Sequence, residues 1–374
     1  MKYYIIAGEA SGDLHGSNLM KGLYAEDPDA AIRFWGGALM DKAYLEGNRA
    51  EGGGLVHDYR DGAVMGISDV LAKAGKLIGN LKACKADILA WKPDVVILID
   101  YPGFNFRIAE FAHKAGFKVF YYIAPKTWAS RERRNKKLRR YVDRLFIVFP
   151  FEIPYFQEKG IPFIYKGNPL IDAVDSHSFA RPVEDRYIAL LAGSRKGEIS
   201  RMMPVCMEVA DRLGCNVVIA GAPSRSEADY LPYMAGHSNV KLIFDRTYDI
   251  LKYADAAIVN SGTASLEAAL IDTPQVVCWS TSPLTAFIAR HIVRVMDHIK
   301  FISLGNLIAD SLIFRELVQE DFTADNVTAE VQRLVRDEAY REEMRRGYCI
   351  IRESLGGAGA SAKVAAAMIE ELKK

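Results

Sequence analysis

Two glycine-rich turns, one near residue 8 and one near residue 262, most constrain the fold of this chain. Each follows an apolar run typical of a strand and precedes a helical pattern, within residues 5–13 and 257–267. Such a corner places backbone N–H groups and the positive end of a helix dipole beside the strand's carboxyl end. Because the two corners lie in separate halves, we predict an α/β protein with two Rossmann-like, doubly wound parallel-sheet domains facing a central cleft.

The composition is that of an ordinary globular protein. The 374 residues suffice for two domains with complete cores, and 50% hydrophobic residues with a net charge of +1 argue against disordered and polyelectrolyte classes. The five cysteines are scattered and include no Cys-x-x-Cys pair, which disfavours a disulfide framework or a zinc site and indicates a reducing compartment. The first residues lack the apolar region of a signal peptide, and no apolar run approaches the ~20 residues of a membrane span. We therefore predict a cytoplasmic protein.

Short apolar runs alternate with helical patterns along the chain, which is typical of parallel sheets. We predict strands near 2–7, 31–35, 94–99, 117–122 and 145–149, and then near 187–192, 216–220, 240–243, 255–259 and 275–278. A polar stretch after Gly167-Asn168-Pro169 places the join within 167–186, which gives domains at 1–167 and 168–355. A glycine-rich break at 356–359 precedes a tail helix, and we expect residues 356–374 to cross back to the first domain.

Two acidic residues of the first half are candidates for catalysis. Asp100 directly follows the apolar run 95–99, the position from which side chains reach the ligand crevice of a doubly wound sheet. A turn or capping role is the alternative, because Asp is common in turns before Pro-Gly. Glu9 lies at the first corner, where its charge would repel phosphate and suits sugar hydroxyls. Ser11 and Asp13 either serve the same acceptor side or cap the next helix.

The second half gathers hydroxyl, guanidinium, backbone N–H and carboxylate groups at two corners: Ser194, Arg195, Ser261, Gly262, Thr263 and Glu267. Arg195 suits bidentate pairing with a diphosphate, and an exposed charge is the alternative. Short hydroxyls at a helix start suit phosphate oxygens, and Glu267, one turn further, suits a ribose diol. A Gly-x-Gly-x-x-Gly motif is missing, so a nicotinamide cofactor is disfavoured and we predict no cofactor.

Residues 131–144 form a basic segment with eight Lys or Arg residues against two acidic ones. Helical spacing predicts a buried face with Leu138 and Tyr141 and an opposite basic face with Arg133, Lys137 and Arg144. A solvated helix face, an anionic lipid surface and a nucleic-acid surface are the three alternatives. The interleaved aromatic residues of a single-strand binder are missing, and we predict no nucleic-acid partner.

A small apolar cluster follows a turn in the first half. It is either buried core or an exposed apolar lip that contacts a membrane, and its glycine-interrupted start leaves both alternatives open. Its members are Val64, Met65, Ile67, Val70 and Leu71.

These motifs, in this order, resemble the lipid-A-disaccharide synthase family of bacterial inverting glycosyltransferases, which have the GT-B fold. The resemblance lies in residues 7–13, 99–105, 125–128, 193–195, 261–267 and 304–306. Three positions depart from the commoner pattern: Asn168 stands where Gly-His-Pro is frequent, Ala192 replaces a proline, and Ser130 replaces a tryptophan.

The resemblance implies that UDP-2,3-diacylglucosamine donates its sugar to 2,3-diacylglucosamine 1-phosphate (lipid X), forming a β-1,6-linked lipid A disaccharide and UDP. It also implies that the second domain binds UDP, with Asn306, Glu316 and Gln319 contributing, and that the first provides the acceptor side. Inversion needs a base for the attacking hydroxyl, and we assign this role to Asp100, with Glu9 second. Neither glycine-rich corner contains an Asp-x-Asp pair, so the sequence there requires no metal.

Both implied substrates carry acyl chains, so the resemblance implies peripheral binding to the anionic cytoplasmic face of the inner membrane. An oligomer is left open. Two alternatives remain at this point: another UDP-sugar enzyme of the same fold, such as a 2-epimerase or a soluble-acceptor transferase, and a non-catalytic nucleic-acid or membrane-docking module built on residues 131–144.

Overall fold

The computed structural model describes residues 1–48, 50–62, 69–128, 132–282 and 300–374, with the backbone alone at 61, 62 and 69–74. The chain forms two compact units, one of Met1–Ala173 with Gly356–Lys374 and the other of Val174–Leu355. The division falls inside the interval 167–186, six residues after the predicted boundary at 167 (173 − 167 = 6). The tail segment belongs to the first unit.

The first unit is built on a seven-stranded sheet in the order β3-β2-β1-β4-β5-β6-β7, in which every neighbouring pair is parallel. The strands are β1 (Lys2–Ala7), β2 (Ala31–Gly36), β3 (Gly54–Asp58), β4 (Val95–Ile99), β5 (Lys118–Tyr122), β6 (Arg144–Ile147) and β7 (Phe163–Tyr165). The helices are α1 (Ala10–Glu26), α2 (Ala38–Gly47), α3 (Asp69–Trp91), α4 (Pro102–Lys114), α5 (Asn135–Tyr141), α6 (Glu152–Glu158), α7 (Pro169–Asp175) and the tail helix, named α15 (Ala360–Lys373).

Apolar side chains alternate between the two faces of this sheet. Tyr3 and Ile5 of β1 pack with α1, α2 and α15, whereas Tyr4 and Ile6 pack with α3, α4 and α5. Because helices cover both faces, the central strands are apolar at nearly every position. These continuous apolar runs explain why the central strands could be predicted from the sequence.

The tail helix α15 is anchored to the first unit at its start and along its length. The Asp172 carboxylate accepts hydrogen bonds from the backbone N–H groups of Gly359, Ala360 and Ser361, at 2.5, 3.3 and 2.8 Å. A Cβ added at Gly22 of α1 would lie 2.9 Å from the Ala365 Cβ, so the two helices pack at glycine distance. The three amides capped by Asp172 are groups that a helix start otherwise leaves unpaired.

The second unit has a six-stranded parallel sheet in the order β10-β9-β8-β11-β12-β13. Its strands are β8 (Tyr187–Leu191), β9 (Asn216–Gly221), β10 (Val240–Phe244), β11 (Ala256–Asn260), β12 (Gln275–Trp279) and β13 (Glu316–Val318). Its described helices are α8 (Lys196–Leu213), α9 (Leu231–Met234), α10 (Thr247–Tyr253), α11 (Thr263–Ile271), α12 (Leu304–Ala309), α13 (Ala324–Arg336) and α14 (Glu338–Leu355).

The ten predicted strands are all present, with ends that differ by at most two residues. The strands that the sequence did not predict are β3, β7 and β13, and each lies at the edge of its sheet. Edge strands are short and half exposed, so they lack the continuous apolar run that identifies a central strand.

Candidate functional site

The strand order in each unit reverses once, and the two predicted glycine-rich corners lie at these reversals. In the first unit β1 lies between β2 and β4, and in the second β8 lies between β9 and β11. Ligands of doubly wound sheets bind outside the carboxyl ends of the strands at such a switch point. The turns after β1, β4, β8 and β11 are therefore the candidate sites of the two units.

At the first switch point the structure brings the two candidate bases to neighbouring strand ends. Ala7 and Ile99 are paired across β1 and β4, so Glu9 and Asp100 both follow at the same edge of the sheet. A Cβ added at Gly8 would lie 2.3 Å from the Tyr101 ring, which shows how closely the two turns approach. Burial raises the pKa of Tyr101, and the nearby Glu9 charge adds to this rise.

The turn after β4 is held in an unusual backbone conformation. Asp100 and Tyr101 have φ angles of 43° and 46°, in the left-handed region that non-glycine residues rarely adopt. The Asp100 carbonyl accepts hydrogen bonds from Tyr121 Oη at 2.6 Å and from Asn105 Nδ2 at 2.8 Å. Asn105 is fully buried and also donates to the Ile99 carbonyl at 3.1 Å. Strain that is stabilised in this way is typical of functional sites.

The backbone is also strained in the turn after β5, at the same ends of the strands. Ile123 has a φ angle of 62°, which is an outlier for a β-branched residue, and its N–H donates to the Phe146 carbonyl at 3.0 Å. The sequence analysis did not find Asn105, Tyr121 or Ile123 as site residues. Only the strain at neighbouring strand ends identifies them.

The acidic and hydroxyl residues of the first corner differ in their exposure and in their contacts. Glu9 and Ser11 are exposed. Asp13 is buried and accepts hydrogen bonds from the N–H groups of Gly37, Leu39 and Met40, at 2.8, 3.1 and 3.0 Å. Asp13 therefore caps α2, and burial raises the pKa of its carboxyl group. The acceptor role predicted for Asp13 and Ser11 stays a prediction.

At the second switch point, the turns after β8 and β11 also approach closely. Gly193 has a φ angle of 97°, and a Cβ there would lie 2.5 Å from the Asn260 amide nitrogen. Glu198 Oε2 accepts from the N–H groups of Ser194 and Arg195, at 3.0 and 3.1 Å. Arg195 Nη1 donates to Glu198 Oε1 at 2.8 Å, although the Arg195 side chain stays 75% exposed. The predicted diphosphate partner of Arg195 thus has a carboxylate competitor, which the sequence analysis did not identify.

The turn after β11 opens α11 as predicted. Gly262 is the extended residue before the helix, and Thr263 is exposed at its first position. Ser261 Oγ donates to the Ile302 carbonyl at 3.0 Å, so its hydroxyl holds another loop. Glu267 is half-buried, and burial raises the pKa of its carboxyl group to about 7, although a 3.3 Å hydrogen bond from Tyr248 Oη lowers it in part.

Asn306, Glu316 and Gln319 form an internal framework. Asn306 is fully buried, and its Nδ2 donates to the Phe314 carbonyl and to Glu316 Oε1, each at 2.9 Å. Glu316 also accepts from the Ile302 N–H at 2.9 Å. Gln319 Oε1 accepts from the Thr281 N–H at 2.5 Å. These contacts position the loops around 281 and 302, and the predicted direct contacts with the nucleotide stay predictions.

The basic segment is shorter as a helix than its spacing predicted. Leu138 and Tyr141 are buried as expected, and Arg133 and Lys137 are exposed, with Lys137 Nζ 3.9 Å from a Glu110 oxygen. The prediction for Arg144 was wrong, because α5 ends at Tyr141 and Arg144 lies on β6, where it pairs with Glu371 of α15.

Part of the predicted apolar lip lies outside the described residues. These are Val64, Met65 and Ile67, while Val70 and Leu71 lie on α3 with only their backbone described. Ser130 also lies outside the described residues.

Asn168, which departs from the family pattern, donates from Nδ2 to the Val148 carbonyl at 3.0 Å and accepts from the Leu170 N–H at 2.9 Å. Its amide therefore joins the end of β6 to the start of α7.

The described ranges contain neither a metal-binding cluster nor a membrane-spanning helix. Within them no group of three or more His, Cys, Asp or Glu residues could hold a metal ion. Among the same residues, no helix has the length and apolar character needed to cross a membrane.

Known proteins are similar to this chain over almost its whole length. A family model described as lipid-A-disaccharide synthetase matches residues 3–368. A lipid-A-disaccharide synthase from Geobacter metallireducens is 38% identical over 99% of this chain and 97% of its own length. One from Myxococcus xanthus is 35% identical over 98% of this chain and 97% of its own.

Solved structures with a similar fold include a UDP-GlcNAc 2-epimerase from Neisseria meningitidis bound to UDP-GlcNAc, with a TM-score of 0.68 and 14% identity over 99% of this chain and all of that one. The calicheamicin glycosyltransferase CalG4 has a TM-score of 0.56 and 16% identity over 100% of this chain and 98% of its own. At these identities the likeness shows the fold alone, and it confirms the predicted pair of Rossmann-like domains of the GT-B class.

Proposed function

Because this chain belongs to the lipid-A-disaccharide synthase family, we propose that Asp100 is the base of its transfer reaction and that the second unit binds the nucleotide. Family membership makes the chain a hexosyltransferase of lipid A biosynthesis, with a UDP-sugar donor and a lipid acceptor. A 2-epimerase is not favoured, because the likeness to epimerases is at 14% identity and concerns the fold.

The observation that carries the proposal for Asp100 is its strained position at the first switch point. The attacking acceptor hydroxyl forms a bond to C1 of the donor sugar while the bond from C1 to the UDP oxygen breaks. The hydroxyl proton must leave in this step, and a positioned carboxylate that accepts it is worth ~10²–10⁴-fold in rate. Asp100 follows the central strand β4, and its backbone is fixed by Asn105 and Tyr121. Glu9, exposed on the next strand end, is the second candidate.

The second unit supplies groups that suit the leaving UDP. Negative charge grows on the diphosphate as the C1–O bond breaks, and preorganised donors stabilise it. Arg195 and the N–H groups that open α11 lie at the switch point between β8 and β11. Glu267, one turn into α11, suits the ribose hydroxyls. Glu198 pairs with Arg195 Nη1 in the free protein and therefore competes with the diphosphate for the guanidinium.

We also propose that the protein binds peripherally to the anionic cytoplasmic face of the inner membrane. The substrates implied by the family carry acyl chains, and each buried methylene is worth about 0.8 kcal/mol, so their transfer through water is strongly unfavourable. Exposed cations of the first unit support this proposal, since a basic side chain near an anionic surface contributes about 1 kcal/mol. They are Arg133, Lys136, Lys137, Arg139 and Arg140.

The test is Asp100→Asn with Glu9→Gln as the matched variant. We expect Asp100→Asn to fold and to bind UDP, yet to lower the rate of UDP release in the presence of lipid X by two orders of magnitude or more, because the amide lacks basicity. Glu9→Gln should retain most of the rate. A rate above about a tenth of wild type in Asp100→Asn, together with a loss in Glu9→Gln, would transfer the role to Glu9.

A further inference from the structure

An aromatic cluster stands at the same sheet edge as Asp100, and the transfer reaction described above does not use it. It consists of Trp128 and Phe151, with ring centroids 4.8 Å apart at an interplanar angle of 77°, and Phe149, which stacks on Phe151 at 5.2 Å and 6°. All three side chains are half-buried. Large apolar rings at the edge of a site offer a flat face to a ligand. Residues 125–128, which include Trp128, have no role in the transfer reaction as described so far.

The position of this cluster follows from the strand register. Ile99 pairs with Tyr122, and Tyr122 pairs with Phe146, so the ends of β4, β5 and β6 are level. Neighbouring strands lie about 4.8 Å apart, which places the end of β6 roughly 10 Å from the turn of Asp100. One sugar ring and its substituents can span such a distance. The strained Ile123 starts the segment that leads from β5 to Trp128.

A buried carboxylate holds this cluster in place. Glu152 is only 1% exposed, and its Oε2 accepts from the N–H groups of Val148 and Phe149 at 3.2 and 3.1 Å. Its Oε1 accepts from Trp128 Nε1 at 3.3 Å. Burial raises the pKa of the Glu152 carboxyl group to about 7, so its charge is costly to keep in this place. The hydrogen bonds to Glu152 thus fix both the Trp128 indole ring and the loop that carries Phe149.

We propose that Trp128 and Phe151 form the surface on which the sugar ring of the lipid acceptor packs, and that Glu152 is the positioning residue that fixes the Trp128 ring. The inference rests on the proposed function, because it names the acceptor side of the same reaction. The aromatic faces contact the C–H face of the glucosamine ring, and this contact holds its hydroxyl toward Asp100. The exposed Lys126 lies on the same segment, where its charge favours an anionic acceptor.

Steady-state kinetics with saturating donor and varied lipid X test this proposal. We expect Trp128→Ala to raise the acceptor KM by about tenfold, with the UDP Kd unchanged, and Trp128→Phe to keep it within about threefold because a flat ring remains. Glu152→Ala should raise the acceptor KM as Trp128→Ala does, with the UDP Kd unchanged. Glu152→Gln should also raise the acceptor KM, though less, because one amide oxygen cannot accept from both the indole N–H and the two backbone N–H groups. The control is Trp91→Ala. Trp91 is half-buried and is the last residue of α3, near the amino end of β4 and thus at the opposite end of that strand from Asp100.

Trp128→Leu keeps apolar bulk without a flat face, so it replaces Trp128→Ala if that variant does not fold. An unchanged acceptor KM in the folded Ala or Leu variant would overturn the acceptor surface while leaving the transfer reaction established. An equal rise in Trp91→Ala would show a general loss of structure and would also overturn it. If the wild-type protein transfers no sugar to lipid X, the proposed function itself fails and this inference fails with it.

Discussion

The side-chain amide of Asn105 donates a hydrogen bond to the backbone carbonyl of Asp100 at 2.8 Å. The same amide reaches the Ile99 carbonyl at 3.1 Å, so one buried side chain holds the last residue of β4 and the first residue of its turn. Because Asp100 and the following Tyr101 both have left-handed φ angles, these bonds offset a backbone conformation that costs of order 1–3 kcal/mol per residue. The carboxylate of Asp100 is thus presented from a fixed backbone.

Asn105→Leu should therefore lower both stability and turnover. The variant keeps a similar volume but removes the side-chain donor to the Ile99 carbonyl and one of the two donors to the Asp100 carbonyl, which keeps Tyr121. We expect a loss of about 1–3 kcal/mol in the free energy of unfolding. The turnover number should fall by at least tenfold, while the UDP Kd stays at the wild-type value because the proposed nucleotide site lies in the other unit. Urea denaturation, kinetics and UDP calorimetry measure the three quantities.

The matched control is Asn326→Leu, since the Asn326 amide also donates to a backbone carbonyl, that of Asp321, at 2.9 Å. Its turnover should equal that of the wild type. Wild-type turnover in Asn105→Leu would contradict the role assigned to the strained turn.

Arg195→Ala and Glu267→Gln should each weaken UDP binding. A charge-assisted pair to phosphate, or a carboxylate that accepts from a ribose diol, is worth about 1.5–3 kcal/mol, or roughly 10- to 150-fold in Kd. Arg195→Ala should lie near the lower end, because the wild-type side chain already pairs with Glu198 in the free protein. Arg186→Ala is the control. Arg186 is exposed, pairs with Asp255 at 3.0 Å, and directly precedes β8, at the opposite end of that strand from Arg195. Wild-type affinity in both test variants would place the nucleotide elsewhere.

The affinity for UDP should depend on pH through Glu267. The ionised carboxylate accepts two ribose hydroxyls, whereas the protonated form must use one oxygen as a donor, so UDP binds the ionised form more tightly. Since the pKa of Glu267 is raised to about 7 in the free protein, affinity should increase as the pH rises from 6 to 8, by about tenfold at most.

The phosphate groups of UDP titrate in the same range, and they do so for any variant. The ratio of the wild-type Kd to the Glu267→Gln Kd removes this contribution, and that ratio should fall between pH 6 and pH 8. A ratio that stays constant across the range would show that Glu267 does not contact the nucleotide as a carboxylate.

The sequence predicted the turns of the candidate site better than the contacts that their side chains make. The turns after β1, β4, β8 and β11 were identified because buried parallel strands are continuous apolar runs and glycine marks the turns that follow. The bonds of Asp13, Ser261 and Asn306 were not predicted, because each partner lies on another segment of the chain: Gly37 for Asp13, Ile302 for Ser261 and Glu316 for Asn306. Residue type reveals hydrogen-bonding capacity, whereas the partner is chosen by tertiary packing.

Binding to anionic vesicles should depend on the cations near α5. Arg133→Gln with Lys137→Gln removes two exposed charges, and at about 1 kcal/mol each the partition onto phosphatidylglycerol vesicles should fall by roughly thirtyfold at low salt. The effect should be smaller for Lys137, because Glu110 already lies 3.9 Å from its ammonium group. Raising the salt concentration should abolish the difference between wild type and variant. Vesicle sedimentation measures the partition.

The control for this experiment is Lys241→Gln with Lys252→Gln, which removes two exposed charges from the second unit and gives the same net charge, +1 − 2 = −1. If binding depended on net charge alone, the two double variants would lose affinity equally. A local surface at α5 predicts a loss only in the Arg133 and Lys137 variant, because a charge more than a Debye length from the lipid, about 8 Å at physiological salt, is largely screened. Equal losses would place the contact outside α5, and undiminished binding in both would leave the apolar residues of the first unit as the source of membrane affinity.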